Sequence, residues 1–246
     1  MDAPQTDEQK EYQAPPRTNR QHVLPLASII RFRNAKDVVE VELIHKQKRF
    51  TENGNQKNFV AIRAWTQFAE DGMRGVEDAF QNAINEVLVS KKIDDKHQVI
   101  FKRFYALIRA RSKARYTEIA GESLMTDVSP MPKMTDEELL EFERQGVFFE
   151  NTPLAVSRQV KDFAIAHEVL QADKQQGKWG LITSAKREFL VSDDFFPLIF
   201  VPVNPTTYLV WEEDSQQLGD QAVQRMNAEI KASARNFVFA RSLDHC

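Results

Sequence analysis

Between Lys178 and Pro205 the chain reads KWGLITSAKREFLVSDDFFPLIFVPVNP, and no other stretch constrains its fold as strongly. Branched and aromatic residues favour extended backbone, and here they come in short runs broken by polar residues. The pattern predicts two short strands around a turn, a corner at Ser192-Asp193-Asp194, and a third strand leaving through Phe196-Pro197. Strand formers converge on clustered carboxylates here and nowhere else, which makes the stretch the centre of the fold and of any site.

The flanking sequence indicates what covers these strands. VVEVELI, residues 38 to 44, sets Val39, Val41 and Leu43 against Glu40 and Glu42, the period-2 pattern of a half-buried strand. The turn at His45-Lys46-Gln47-Lys48 predicts a hairpin returning near Phe50, and ENGNQK, residues 52 to 57, reads as a loop. Upstream, Pro25 suits the first turn of a short helix in which Val23, Leu26, Ile29 and Ile30 face inward. Helical character is expected from Phe59 to Phe68, a break at Asp71-Gly72, and then a helix burying Val76, Phe80, Ala83, Ile84, Val87 and Leu88. A long helix follows from Asp95 to Tyr116. Residues 118 to 134 read as a loop, and Thr135-x-x-Glu138 as the capping box of another helix. Asn151-Thr152-Pro153 begins a helix carrying Val160, Phe163, Ala164, His167 and Leu170; Val223, Met226 and Ile230 mark the inner face of the last helix, and NFVFAR is a closing strand. Neither strand group can cover its own apolar face. The expectation is therefore one α+β domain over residues 21 to 246, its mixed or antiparallel sheet combining both ends of the chain, preceded by a mobile tail over residues 1 to 20.

Composition narrows the classes of function. The formal net charge is -3, so any surface for nucleic acid must be local rather than global. The single cysteine, Cys246, rules out an intramolecular disulfide framework and a cysteine zinc cluster. The N-terminus lacks an apolar core typical of a signal peptide, and no run approaches the roughly 18 apolar residues of a membrane span, which together predict a cytoplasmic protein without membrane contact. Eight glycines supply no phosphate-cradling motif.

Three groups of residues are candidates for chemistry. His22, three residues before Pro25, suits a general base, a metal ligand or a structural hydrogen-bonding group. Asp193 and Asp194 suit a shared divalent cation, Mg²⁺ or Mn²⁺, with Ser192 beside them; the same residue types also build Asx and Ser turns that tie down backbone amides. In KRFYALIRARSKAR, Lys102, Arg103, Arg109, Arg111, Lys113 and Arg115 are uncompensated by any acid and interleaved with Phe104 and Tyr105, which suits phosphate contacts as well as a merely solvated face. His167 reads as a core or edge histidine, and His45 and His97 lie in polar turns.

Taken in order, these landmarks resemble a large bacterial family of unknown function typified by a His-Tyr-Val-Pro-x-x-Tyr-Leu-x-x-Phe element. The resemblance rests on His22-x-x-Pro25 with Phe32, on FYALIRARSKAR, on Trp179 with EFLVSDDFFP, on VPVNP, and on a closing helix and strand with Asn227 and Phe237. Val23-Leu24 replace a Tyr-Val pair, Asp194 stands where the family has Asn, and Phe195 where it has Pro. The resemblance implies the architecture and an accessory role in bacteria or their mobile elements, including phage defence, without naming a reaction.

Two functions compete on these residues. In a metal-assisted phosphodiester hydrolase, with His22, Ser192 and Asp193 as catalytic residues, Asp193 and Asp194 would hold the cation, His22 would activate water or stabilise the leaving oxygen, and Arg109 and Arg111 would hold phosphates; this needs His22 close to Ser192-Asp193. In a non-catalytic binding or interference protein, the basic helix would contact nucleic acid or a nucleic-acid-binding partner. Phe148-Phe149 and Phe195-Phe196 are candidates for an exposed apolar contact.

Overall fold

The two ends of the chain meet in one sheet. A computed structural model describes residues 20–62, 64–117, 153–196 and 199–246, with positions 135, 138 and 142. The element order is β1 (Arg20–His22), α1 (Leu26–Ile30), β2 (Val39–Leu43), β3 (Lys48–Glu52), β4 (Val60–Ile62), α2 (Gln67–Ser90), α3 (Asp95–Tyr116), α4 (Pro153–Gln171), β5 (Trp179–Ser184), β6 (Val191–Ser192), β7 (Phe200–Asn204), β8 (Thr207–Trp211), β9 (Gln216–Leu218), α5 (Asp220–Ser233) and β10 (Phe237–Ala240). Strand β10 lies between β2 and β6 in the order β3-β2-β10-β6, pairing Phe239 with Val41 on one side and with Val191 on the other. A second sheet runs β7-β8-β5-β9, antiparallel except for the parallel β5–β9 pair, and β1 pairs with β4. This is an α+β fold with antiparallel and mixed sheets at the ends of the sequence and helices between them.

The stretch from Lys178 to Pro205 is divided between the two sheets: β5 and β7 belong to one, and β6 joins the N-terminal strands in the other. Asn227 of α5 makes the crossing affordable in hydrogen bonds. Its Oδ1 accepts from Leu190 N at 2.9 Å and its Nδ2 donates to the Glu188 carbonyl at 2.9 Å, satisfying backbone that belongs to neither ladder.

Helix α3 is the central element. Phe101, Phe104, Tyr105, Leu107, Ile108, Ala110 and Ala114 are all buried, and Phe80 of α2 stacks on Phe104. At its N-terminus Asp94 and His97 form a reciprocal capping box, so the buried His97, which reads in sequence as a residue of a polar turn, is a capping group. The main core extends from α2 and α3 to both four-stranded sheets and α5; a smaller cluster joins Trp65, Met73, Leu107 and Ile165.

Three expectations are corrected. Helix does not begin at Phe59: Val60–Ile62 is a strand, and α2 starts at Gln67 under a Thr66 cap and runs unbroken through Gly72 and Gly75. Both glycines face open space, and their propensity cost of about 1 kcal/mol each is offset by burial of Met73, Phe80, Ile84 and Val87 on the same helix. In α1, Ile29 is buried while Ile30 is exposed, and Phe32 beyond the helix takes the core position. In α4 the inward residues are Ser157, Arg158 and Ile165; Phe163 and Leu170 are 76% and 73% exposed, and His167 is exposed too. The expected N-terminal tail, apart from Arg20, and the loop over residues 118 to 134 lie outside the described residues. The capping bonds between Thr135 and Glu138 are present.

Candidate functional site

Strand β6 ends at Ser192, and the chain then turns on three side chains. Ser192 Oγ accepts from Asp194 N at 3.1 Å, and Asp194 Oδ1 accepts from Phe196 N at 2.9 Å, an Asx turn. The same oxygen accepts from the buried Ser112 hydroxyl of α3 at 2.6 Å, while Oδ2 pairs with the Arg235 guanidinium at 2.6 Å. Asp193 Oδ1 accepts from the backbone amides of Arg235 and Asn236 at 2.9 and 3.2 Å. Its Oδ2 accepts from the Tyr116 hydroxyl at 2.6 Å and from Asn236 Nδ2 at 2.9 Å. Burial and the adjacent Asp193 carboxylate push the Tyr116 phenol well up, so it remains a donor. Both aspartates are buried, and their oxygens are committed to hydrogen bonds within the protein.

This donor set does not fit a divalent cation at Asp193 and Asp194. A metal would have to displace several of these bonds and sit beside Arg235, and among the described residues no three His, Cys, Asp or Glu side chains are grouped to hold one. Ser192, Asp193 and Asp194, expected as catalytic residues and metal ligands, make bonds that fasten β6, the end of α3 and the Arg235-Asn236 turn together. His22 takes no part in the bonds described for the corner. Its Nε2 lies 3.0 Å from the Gly54 carbonyl, which can only accept, so Nε2 carries the proton; burial lowers its pKa and keeps the ring neutral. The neighbours Val23 and Leu24, not His22, line the small cavity next to Ser192 and Asp193.

The basic helix is likewise drawn inward. Arg111 is 1% exposed, paired with Glu77 at 2.5 Å and lying against the Trp65 ring. Lys102 donates to the Gln175 carbonyl at 2.6 Å, and Arg103 forms a bidentate pair with Asp173. Arg115 donates one bond to the Asn58 carbonyl at 2.9 Å. Arg109 and Lys113 lie over the Phe196 ring, 5.1 and 5.7 Å from its centroid. Of the six cations expected to hold phosphates, Arg111 is therefore a core residue, and Lys102 and Arg103 close the protein's own surface; Arg109, Lys113 and Arg115 remain at the outer side of the helix.

Arg115 leads to a feature the sequence conceals. A cleft of about 390 Å³ is lined by Leu43, His45, Lys46, Lys57, Asn58, Arg115, Asn236 and Phe237. The hairpin turn supplies Lys46, the loop before β4 supplies Lys57, and the last turn of α3 supplies Arg115. No carboxylate is among these lining residues. Nearby Glu42 is occupied by Lys231 at 2.5 Å and Arg49 at 3.4 Å. Asn236, held by Asp193, forms part of the wall, so the buried corner positions the cleft without entering it. The separate lysines of HKQK and NQK are the available sequence signal, and neither loop indicates that they face each other.

A second concavity, of about 600 Å³, is apolar and runs between the start of α2 and α4 along Phe68, Met73, Phe163, Ile165 and Leu170, with Asp162 bonded to Thr66 at its edge. The expected exposed aromatic pairs divide: Phe195 is buried, Phe196 is exposed, and Phe148-Phe149 lie outside the described residues. Among the described residues no helix is long and apolar enough to cross a membrane. Fold and site together define an α+β protein with a hydrogen-bonded carboxylate corner and a cationic cleft beside it. Comparisons with protein-family models, curated proteins and solved structures found no significant match.

Proposed function

We propose that this protein binds nucleic acid without cleaving it, holding phosphates in the cleft of Lys46, Lys57 and Arg115. The observation that carries this reading is the convergence of three cations from three separate segments on a concave surface with no lining carboxylate, in a chain of net charge -3. Desolvated phosphate oxygens would find guanidinium, ammonium and amide donors there, with His45 at the rim. A binding or interference role fits the accessory character, including phage defence, that the family resemblance implies. The metal-assisted hydrolase reading gains no support from the corner, whose carboxylates are already satisfied.

The test is fluorescence anisotropy with labelled oligonucleotides across a salt series. Three phosphate contacts predict a slope of log K against log salt of about −2 for a single strand, and K46E/K57E should reduce it to about −0.7. Both lysines are exposed and have no described hydrogen bond, so the double variant should keep the wild-type unfolding midpoint. A slope near zero in the wild type, or an unchanged slope in the variant, refutes the proposal. Strands incubated with the protein and Mg²⁺ or Mn²⁺ should remain intact; cleavage would restore the hydrolase.

A further inference from the structure

We infer that the nucleic acid taken by this cleft is single-stranded, with an unpaired base stacking at Phe196; the inference rests on the phosphate-cleft reading. Phe196 follows the aspartate corner, and its position is fixed by that corner. Its amide donates to Asp194 Oδ1, the amide of Phe195 donates to Ser112 Oγ at 3.1 Å, and the Phe195 ring is buried as an anchor. The corner thereby clamps the turn onto α3 and leaves the Phe196 ring 41% exposed, with Arg109 and Lys113, one turn apart on α3, placed over it. An exposed phenylalanine alone carries no information. A phenylalanine set against two cations of the helix that leads into a cationic cleft is an arrangement for stacking beside phosphate.

The two places are joined along α3. From Lys113 the helix leads to Tyr116, over whose ring lie the guanidinium groups of Arg115, at 5.3 Å from the centroid, and Arg235, at 4.7 Å. Asn236 Nδ2 contacts the Tyr116 hydroxyl and also lines the cleft. Arg109 and Arg115 are about 9 Å apart along the helix axis at 1.5 Å per residue. A duplex keeps its bases inside the helix and could offer this surface only phosphates, whereas a single strand offers phosphates to the cleft and a base face to Phe196.

The experiment uses the full chain and a fluorescein-labelled oligonucleotide of about ten nucleotides, within the usual site size of such surfaces, alone or annealed to its complement. The single strand should bind about tenfold more tightly than the duplex. F196A and F196L should each lose about that factor for the single strand and nothing for the duplex, F196W should retain the preference, and all three should unfold at the wild-type midpoint. Equal affinity for duplex and single strand, or wild-type single-strand binding by F196L, overturns this inference while leaving the cleft reading standing. Salt-independent binding of both probes overturns the cleft reading and this inference with it.

Discussion

The Asp193→Asn substitution separates a structural corner from a catalytic one. The carboxylate accepts from two backbone amides on one oxygen and from Tyr116 and Asn236 Nδ2 on the other. An amide of the same shape keeps one oxygen and replaces the other with a donor. If the oxygen stays with the backbone amides, the new NH₂ faces the amide of Asn236 and the hydroxyl of Tyr116. Two bonds to a charged acceptor are then lost or inverted, each worth about 1.5–3 kcal/mol. The neutral amide is cheaper to bury, which offsets part of the loss and leaves an expected destabilisation of about 3 kcal/mol. In urea this appears as a lower midpoint at unchanged slope, and in a thermal scan as a fall of about 6–12 °C for a chain of this size. Tyr116→Phe combined with Asp193→Asn should cost less than the sum of the single changes by about 1 kcal/mol, because the two groups share a bond. The reasoning is refuted if Asp193→Asn stays within about 0.5 kcal/mol of the wild type yet abolishes nucleic-acid binding or exposes a lost activity.

Arg111→Met should destabilise the protein by about 3 kcal/mol at neutral pH, since it leaves the half-buried Glu77 without its partner. Burial already raises the Glu77 pKa against the pull of Arg111. A carboxyl whose folded-state pKa lies above its unfolded value weakens the fold while charged, so the deficit of Arg111→Met should shrink as the pH falls through that raised value. Urea titrations at several pH values check this, and a pH-independent deficit would contradict it. Gly180→Ala should cost about 3 kcal/mol or prevent folding, because its Cβ would stand 2.0 Å from the Glu213 carbonyl oxygen. Gly72→Ala, whose Cβ meets nothing within 4 Å, should gain about 1 kcal/mol; thermal melts of the pair test whether open space and backbone contact account for the difference.

Much of the architecture was legible because it is local. Alternation placed β2, apolar spacing placed α3 and α5, and the Thr135 box appeared where its four residues predicted it. The 59–68 segment misled because its apolar content fits a helix or a strand, and only pairing with β1 decides. In α4 the apolar residues are visible in sequence, but which of them face inward is set by Asp162 reaching Thr66 and by packing on α3. A buried Arg111 is indistinguishable in sequence from an exposed one, since its partner Glu77 lies on another helix.

The same division applies to the site. Sequence alone determined that Ser192-Asp193-Asp194 is a corner, that α3 carries the basic residues, and that any nucleic-acid surface must be local in an acidic chain. Tertiary structure decided which charges are consumed and which are offered. The aspartates are satisfied by Ser112, Tyr116, Arg235 and Asn236, and Arg115 is joined by Lys46 and Lys57 across two loops. The physical reason is that a side chain's charge is fixed by its identity, whereas its availability depends on the partners that folding brings within about 3 Å, the hydrogen-bonding range.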